Sequence, residues 1–578
     1  SGNDNDWTPT NLSAYDVIAD GSFDVGSGGN TFCTMNAACS EADTGYAVTK
    51  AEGNLQVTVP DHAVILGGMP VSSGKWYVEG LYSSASYGTL GIVADSLSPL
   101  ENLNASGNFA YMYYYLGSLY THDGVGDSNP DDYADGDIIG VAFNLDDNLV
   151  YWHKNGTWIT ISAGVQNPAT PAHGLSIASD KSYVVGTSSN GNNAEWYFNF
   201  GQDSSFAGNE TAQNNADSGG VGDFYYTPPT GYKALCTKNL PAPAIADPSE
   251  HFQTVLYTGD GAVSHAITGV GFQPDMNWVK ARSFTKDHNL VDSVRGAHFR
   301  LIPNGTNAEN EDAEKIISLD SDGFTTGVDS ATNDNTETYV AWNWKAGGAA
   351  VSNTDGTITS SVSANPTAGF SIVSYTGSGT TGTVGHGLSS TPEMYIVKNR
   401  DTVESWAVYS ETIGNAKRLG LDSSGAETAT NNWNSTSPTA NVFTVYGGET
   451  RVNDSGDDYI AYCWHSVEGY SKIGSYTGNN STDGPFIYTG FKPAFVMVKR
   501  TNSGENWAIT DSARSPDNVA DAYLRADEST VESTYSAKMD LLSNGFKLRG
   551  ADTKSNGDDD TYIYMAFAER PFKYARAR

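Results

Sequence analysis

Cysteine, methionine and basic residues are the scarce components of this 578-residue chain, with four Cys, eight Met and 32 Lys plus Arg against 67 Asp plus Glu. Cys33, Cys39, Cys236 and Cys463 are too few for a disulfide framework at this length. Cys33 and Cys39, separated by five residues, leave a local bridge open beside free thiols, and there is no CxxC metal pair. The formal charge of −35 argues against nucleic acid, whose binding rests on neutralising phosphates. No segment approaches the roughly 20 apolar residues of a membrane-spanning helix, and the opening Ser-Gly-Asn-Asp-Asn-Asp is no signal peptide, so a soluble chain without membrane insertion is expected. No apolar heptad supports a coiled coil. GxSxG, HExxH and Walker motifs are missing; Gly377–Gly382 satisfies GxGxxG, but no helix follows to receive phosphates and the segment reads as a turn. Neither an enzyme nor an obligate cofactor is expected.

What the chain has in quantity is Gly (62) and Tyr (33), with many Thr, Ser and Asn. Gly and Asn tolerate positive φ in tight turns, and Tyr and Thr suit a pleated surface, so the fold class is all-β. The length exceeds one hydrophobic core and calls for several domains. Strand patterns run through Lys75–Leu81, Leu90–Val93 and Ile138–Phe143, and Asn148–Ile159 reads as a hairpin turning at Asn155-Gly156. Gly136–Phe143, the Lys-Asn-Gly hairpin and Asn199-Phe200-Gly201-Gln202 resemble the core of the SPRY family over roughly residues 15 to 210. The resemblance implies a bent antiparallel sandwich that binds peptides, proteins or glycans through loops at one edge, without naming a ligand.

The remainder repeats itself. Tyr257-Thr258-Gly259, Tyr375-Thr376-Gly377 and Tyr476-Thr477-Gly478 are each followed, 17 residues after the Tyr, by Pro274, Pro392 and Pro493, and six later by Lys280, Lys398 and Lys499. Eight residues on stand His288, Trp406 and Trp507; each unit closes on a strand ending in Trp344, Trp464 or Phe567. The prolines are expected just before a strand and the lysines on its outer face, with one helical turn near Asp312–Ile317. The domains read as 1–225 (SPRY-like sandwich), 226–250 (proline-rich linker), 251–348 (repeat 1), 349–366 (linker), 367–468 (repeat 2) and 469–578 (repeat 3), the repeats being sandwiches or jelly rolls.

Two sets of residues are candidates for binding. Along Tyr111–Tyr120, Tyr111, Tyr113 and Tyr115 share one strand face and Met112, Tyr114 and Leu116 the other, so Tyr111, Tyr113, Tyr115 and Tyr120 are the ligand candidates, as rings that stack on sugars; burial of both faces is the competing reading. Asp131, Asp132, Asp135 and Asp137 are the calcium candidates, against a solvated turn. The SPRY-like module followed by Phe252–Gly261, with Asp292–Ala297 and Trp7–Ser13, resembles structural appendage proteins of marine tailed bacteriophages that carry tail-associated repeats. That resemblance implies a virion-surface, extracellular tail or capsid fibre recognising a host-surface glycan or protein among other virion proteins. A purely structural decoration and a polysaccharide-cleaving tailspike are the alternatives. A homo-oligomer, preferably a trimer joined by apolar repeat surfaces, is expected.

Overall fold

The computed structural model describes residues 30–42, 47–84, 87–94, 109–121, 124–128, 130–179 and 181–574; Trp7–Ser13 lies outside them. The chain is almost entirely antiparallel β and divides into two units, Ser1–Pro241 and Ala242–Arg578.

The first unit is a sandwich of two large sheets. One runs Met35–Ala42, Ala63–Gly67, Tyr183–Ser188, Thr89–Ala94, Ala110–Tyr114, Ser118–Thr121, Gly124–Asp127; the other is centred on Ile138–Asn144, Lys75–Tyr82 and Ala194–Asn199. Trp76, Trp152 and Trp196 are buried between turns that glycine and asparagine make, among them Asn155 (φ 50°) and Gly156 (φ 77°). Cys33 is a free buried thiol that burial pushes up to about 12, so it forms no bridge to Cys39. The segment read as a linker from residue 226 begins inside this unit: Lys233–Ala234 pairs parallel with Lys75–Tyr82, and Tyr232, Ala234 and Cys236 are core. Its apolar residues outweigh its prolines.

The second unit holds three main sheets with matching registers. The closing strands Thr338–Trp344, Asp458–Trp464 and Thr561–Pro571 each lie between the strand bearing the Tyr-Thr-Gly tyrosine and the strand bearing the lysine. Tyr257, Tyr375 and Tyr476 pair with Tyr339, Tyr459 and Tyr562, with rings stacked at 13°, 13° and 9°. The first three hydroxyls donate to Thr332 O, Val452 O and Ser555 O, while Tyr339, Tyr459 and Tyr562 donate to Ser330 O, Thr450 O and Thr553 O. Beside them Asn333, Asn453 and Asn556 are fully buried and accept the amides of Asp260, Ser378 and Asn479. A Cβ on Gly259, Gly377 or Gly478 would meet a backbone oxygen at 2.0–2.3 Å, so this turn requires glycine.

Each main sheet is apolar on both faces. The outer face of each packs on its own small sheet or hairpin, as Tyr339 and Ala341 do on Ile267 and Phe324. The inner faces share one core that joins Trp278, Trp342 and Trp344, Ile396, Tyr462 and Trp464, and Met497, Met565 and Phe567. Lys280, Lys398 and Lys499 stand on these inner faces with no solvent exposure, contrary to the outward position expected from alternation. Their ammonium groups donate to the nearby main-chain oxygens of Ala281, Asn399 and Glu505, Lys499 also reaching Ser424 O of the second repeat at 3.0 Å, and burial pushes them down to about 8.

The seams run cyclically. His288 Nε2 faces Arg525 O at 2.9 Å, Trp406 Nε1 donates to Ile302 O at 3.0 Å, and Trp507 Nε1 donates to Gly420 O at 2.8 Å. In the same rotation the amides of Glu532, Glu309 and Glu427 donate to Arg282 O, Arg400 O and Thr501 O. Two seams are ionic: Arg400 is bidentate on Glu309, with Arg295, Asp292 and Tyr462 behind, and Arg282 is bidentate on Glu532, with Arg514, Asp511 and Trp342 behind. At the third seam the corresponding residues are Ser410, Ile413 and Met565, and Ser410 Oγ is buried without a hydrogen-bond partner among the described residues.

Several sequence expectations change in detail. Pro274 and Pro392 precede strands beginning at Met276 and Met394, but Pro493 lies within Phe491–Arg500 at a register shift. Residues 349–366, read as a linker, contain Val351–Asn353 and Ser360–Asn365, which extend the second sheet, because Ser, Thr and Val alternate there as well as in a strand. Asp312 to Lys315 is a turn into the Ile316–Asp320 strand, and the α-helical turns among the described residues are Ser330–Asn333 and Thr450–Asn453. The aromatic inner surface of the three main sheets is buried within the chain.

The third seam gives a test. Ile413→Arg alone should place an unpaired charge in the core and cost about 3–5 kcal/mol in denaturant unfolding. Adding Ser410→Asp should recover a large part by rebuilding the Asp–Arg pair of the other seams. A double variant no more stable than the single one would show that the seams are not equivalent.

Candidate functional site

The strand Ala110–Tyr114 lies between Thr89–Ala94 and Ser118–Thr121 in its sheet, and the side chains of both its faces are buried through Tyr113. Tyr111 and Tyr113, two of the ligand candidates, are buried core residues and drop out of a binding role. The Tyr111 hydroxyl accepts from Ala178 N, and Tyr113 donates to Asp131 O. Tyr133, also buried, donates to Gly88 O at 2.7 Å and contacts the Tyr113 ring at 5.0 Å. Tyr113 and Tyr133 together tie the acidic loop to the sheet.

At Tyr114 the strand gives way to a turn. Gly117 has φ of 73°, and a Cβ there would lie 2.1 Å from Pro130 O, so the turn needs glycine. The turn carries Tyr115 out of the core and puts Tyr114 on the surface as well. Tyr115 lies 5.5 Å from Tyr87 and 4.7 Å from Tyr114, which in turn is 5.9 Å from Tyr120. All four rings are half-buried, and Leu116 and Val125 beside them are exposed. Burial and the neighbouring tyrosines hold the Tyr114 phenol above its ordinary value, so its hydroxyl keeps its proton and can donate a hydrogen bond. Tyr87, at φ of 75°, sits against Gly191, where a Cβ would lie 2.5 Å from its ring. Such a backbone in a bulky residue is a strained feature held by its surroundings.

Of the four candidate tyrosines, Tyr115 and Tyr120 lie in this surface strip, which also contains Tyr87 and Tyr114. Alternation sets Tyr114 on the face opposite Tyr113 and Tyr115, and the turn after the strand brings Tyr115 beside it, while Tyr87 comes from a separate loop.

The acidic loop borders the strip. Asp137 accepts from Ala134 N and from Asn155 Nδ2, capping a turn, while Asp131, Asp132 and Asp135 are exposed. Lys154 donates to the main-chain oxygen of Asp132. Among the described residues no group of three or more His, Cys, Asp or Glu is placed to hold a metal ion, and these four carboxylates do not converge.

A second polar group lies sealed inside the sandwich. Tyr77 Oη is 2.6 Å from His153 Nε2 and donates to Glu79 at 2.9 Å; Glu79 also accepts the amides of Tyr225 and Tyr226. His153 Nδ1 accepts from Gly156 N, so Nε2 carries the proton and donates to Tyr77. Burial lowers His153 to about 3 and raises Glu79 to about 7, although four hydrogen bonds pull Glu79 downward. With no exposure, the group anchors the 224–226 segment.

By its strand pairing the first unit is an antiparallel two-sheet sandwich with an aromatic surface strip, joined in one chain to a three-sheet unit. Residues 247–571 match the model of a family described as a domain of unknown function, DUF7483, and the chain belongs to that family. The match spans all three main sheets as one piece. No curated protein matches the chain. Among solved structures, the SPRY domain of human HERC1 is similar at 12% identity and a TM-score of 0.23, covering 28% of this chain and 96% of that one. The TRIM65 PSpry domain follows at 10% identity and 0.23, covering 28% and 90%, and a human SPRY domain at 14% and 0.20, covering 26% and 94%. At such scores the likeness carries no functional argument, and the sandwich assignment rests on the pairing itself.

The raised Glu79 carboxyl predicts a pH dependence. An acid whose folded pKa exceeds its unfolded value of about 4.3 holds its proton more tightly when folded, so stability falls as pH rises between roughly 4.5 and 7. Corrected for intrinsic rates, hydrogen-exchange protection of the Tyr225 and Tyr226 amides should fall across this window and become flat in Glu79→Gln. A wild-type profile as flat as the variant's would contradict the assignment.

Proposed function

We propose that this chain is a non-enzymatic binding protein of a virion appendage, a tail or capsid fibre, which recognises a host-surface glycan or protein through Tyr87, Tyr114, Tyr115 and Tyr120. The observation that carries the binding role is the strip itself: four phenol rings in successive contact at the surface, beside exposed Leu116 and Val125 and edged by acidic residues. Rings of this kind stack on sugar faces or take up an apolar peptide side chain, while their hydroxyls supply hydrogen bonds. The virion location rests on the sequence resemblance to phage appendage proteins. The three main sheets of the second unit have the registers of a threefold duplication, and in this reading they are a rigid structural part with no ligand.

A purely structural role is favoured by one observation, the expenditure of the aromatic surface of the second unit on its own core. Binding separates the two readings. On a glycan array and on host cells, Tyr115→Ala and Tyr120→Ala should each weaken binding by about 5- to 50-fold, the loss of one stacking contact. Tyr111→Phe should leave affinity unchanged. Undiminished binding by Tyr115→Ala with Tyr120→Ala would exclude the strip, and no binding by the wild type would favour the structural role.

A further inference from the structure

The three main sheets of the second unit have one equivalent edge each, and the chain treats the three differently. In the second sheet Phe370–Thr376 is covered by Ser360–Asn365, with Ser363 opposite Ile372 and Ser361 opposite Ser374. In the first and third sheets the corresponding strands, Phe252–Thr258 and Ser471–Thr477, end their sheets with no further strand among the described residues. The third edge carries Lys472 and a mid-strand Gly474, devices that discourage strand addition. Phe252–Thr258, with sequence Phe-Gln-Thr-Val-Leu-Tyr-Thr, has neither charge, glycine nor proline.

The backbone of this strand faces outward in a defined alternation. Gly259 N donates to Glu337 O at 2.8 Å and Lys345 N to His251 O at 2.9 Å, so the odd-numbered residues bond to Thr338–Trp344. Thr254, Leu256 and Thr258 therefore turn their N–H and C=O groups away from the sheet. The counterparts of Thr254 and Leu256 in the second sheet, Ile372 and Ser374, stand on the side that Ser360–Asn365 covers. Leu256 is 38% exposed and Val263, just beyond the strand, 79%.

We propose that Phe252–Thr258 pairs antiparallel with the same strand of a second copy of this chain, across a two-fold axis at Val255. In that register Thr254 lies opposite Leu256 of the other copy and Phe252 opposite Thr258, so every outward-facing residue meets another outward-facing residue. An antiparallel edge is self-complementary, and one patch used twice closes the assembly as a dimer. The second copy supplies for the first sheet what Ser360–Asn365 supplies for the second. The proposal does not depend on the tyrosine strip.

Sedimentation equilibrium of the full chain at tens of micromolar tests it. The expected mass is twice the 61.5 kDa of one chain. Leu256→Lys, at a part-exposed position, should raise the dimer dissociation constant by at least roughly tenfold. Thr254→Pro removes an outward donor while sparing the bonds within the sheet, and should do the same. Ser475→Lys, the equivalent change on the third edge, should leave the dimer intact. A monomeric or trimeric wild type would overturn the proposal, as would a dimer that neither Leu256→Lys nor Thr254→Pro weakens. Saturable binding of a peptide of residues 358–367 to a monomeric chain would mean that the edge takes a strand from elsewhere, and would overturn it too.

Discussion

A β-sheet with two apolar faces must be covered twice, and this requirement shapes the second unit. Each main sheet carries aromatic and branched side chains on both sides, and its small sheet or hairpin covers only one of them. The other face is buried when three such sheets turn inward around a common core. Phe252 stacks against Phe567 at 5.0 Å and Trp344 lies 5.6 Å from the same ring, so the first and third sheets meet although they are far apart in sequence. No single sheet of this kind would keep its inner face dry alone, which is consistent with one family model running unbroken across all three.

The seams around that core hold the arrangement by polar contacts whose cost is met locally. Glu309 and Glu532 are desolvated, which pushes their carboxyls up, yet the guanidinium groups beside them bring both below the ordinary value. Removing one partner from such a site is expensive, whereas replacing the whole group by apolar residues is tolerated. The third seam shows the second solution, with Ile413 and Met565 where the others have Arg514 or Arg295 and Trp342 or Tyr462. Two ionic seams and one apolar seam make the sheets non-interchangeable, since a wrong order would set an Arg against an apolar partner.

In the first unit one residue type serves two ends. Tyr111, Tyr113 and Tyr133 fill the sandwich and tie down its acidic loop, while Tyr87, Tyr114, Tyr115 and Tyr120 reach the surface within a few ångströms of them. The divide is set by where the Ala110–Tyr114 strand stops, which in turn follows from Gly117 passing close to Pro130.

The sequence by itself determined the all-β class, the hairpin at Asn155-Gly156, and the spacing that puts Tyr257, Tyr375 and Tyr476 at matching registers. These are local properties, written in turn residues and alternating patterns. It also placed Tyr115 and Tyr120 among the candidates, but it could not separate them from Tyr111 and Tyr113, because alternation states which residues share a face and not what lies over that face. Only the tertiary structure decided that Lys280, Lys398 and Lys499 are buried, that Ser360–Asn365 is a strand and not a linker, and that Tyr87 joins Tyr115. Each of these depends on a part of the chain distant in sequence: the neighbouring sheets that bury the lysine-bearing faces, an open edge, a separate loop. Burial belongs to the pair of surfaces that meet, and a one-dimensional pattern holds only one of them.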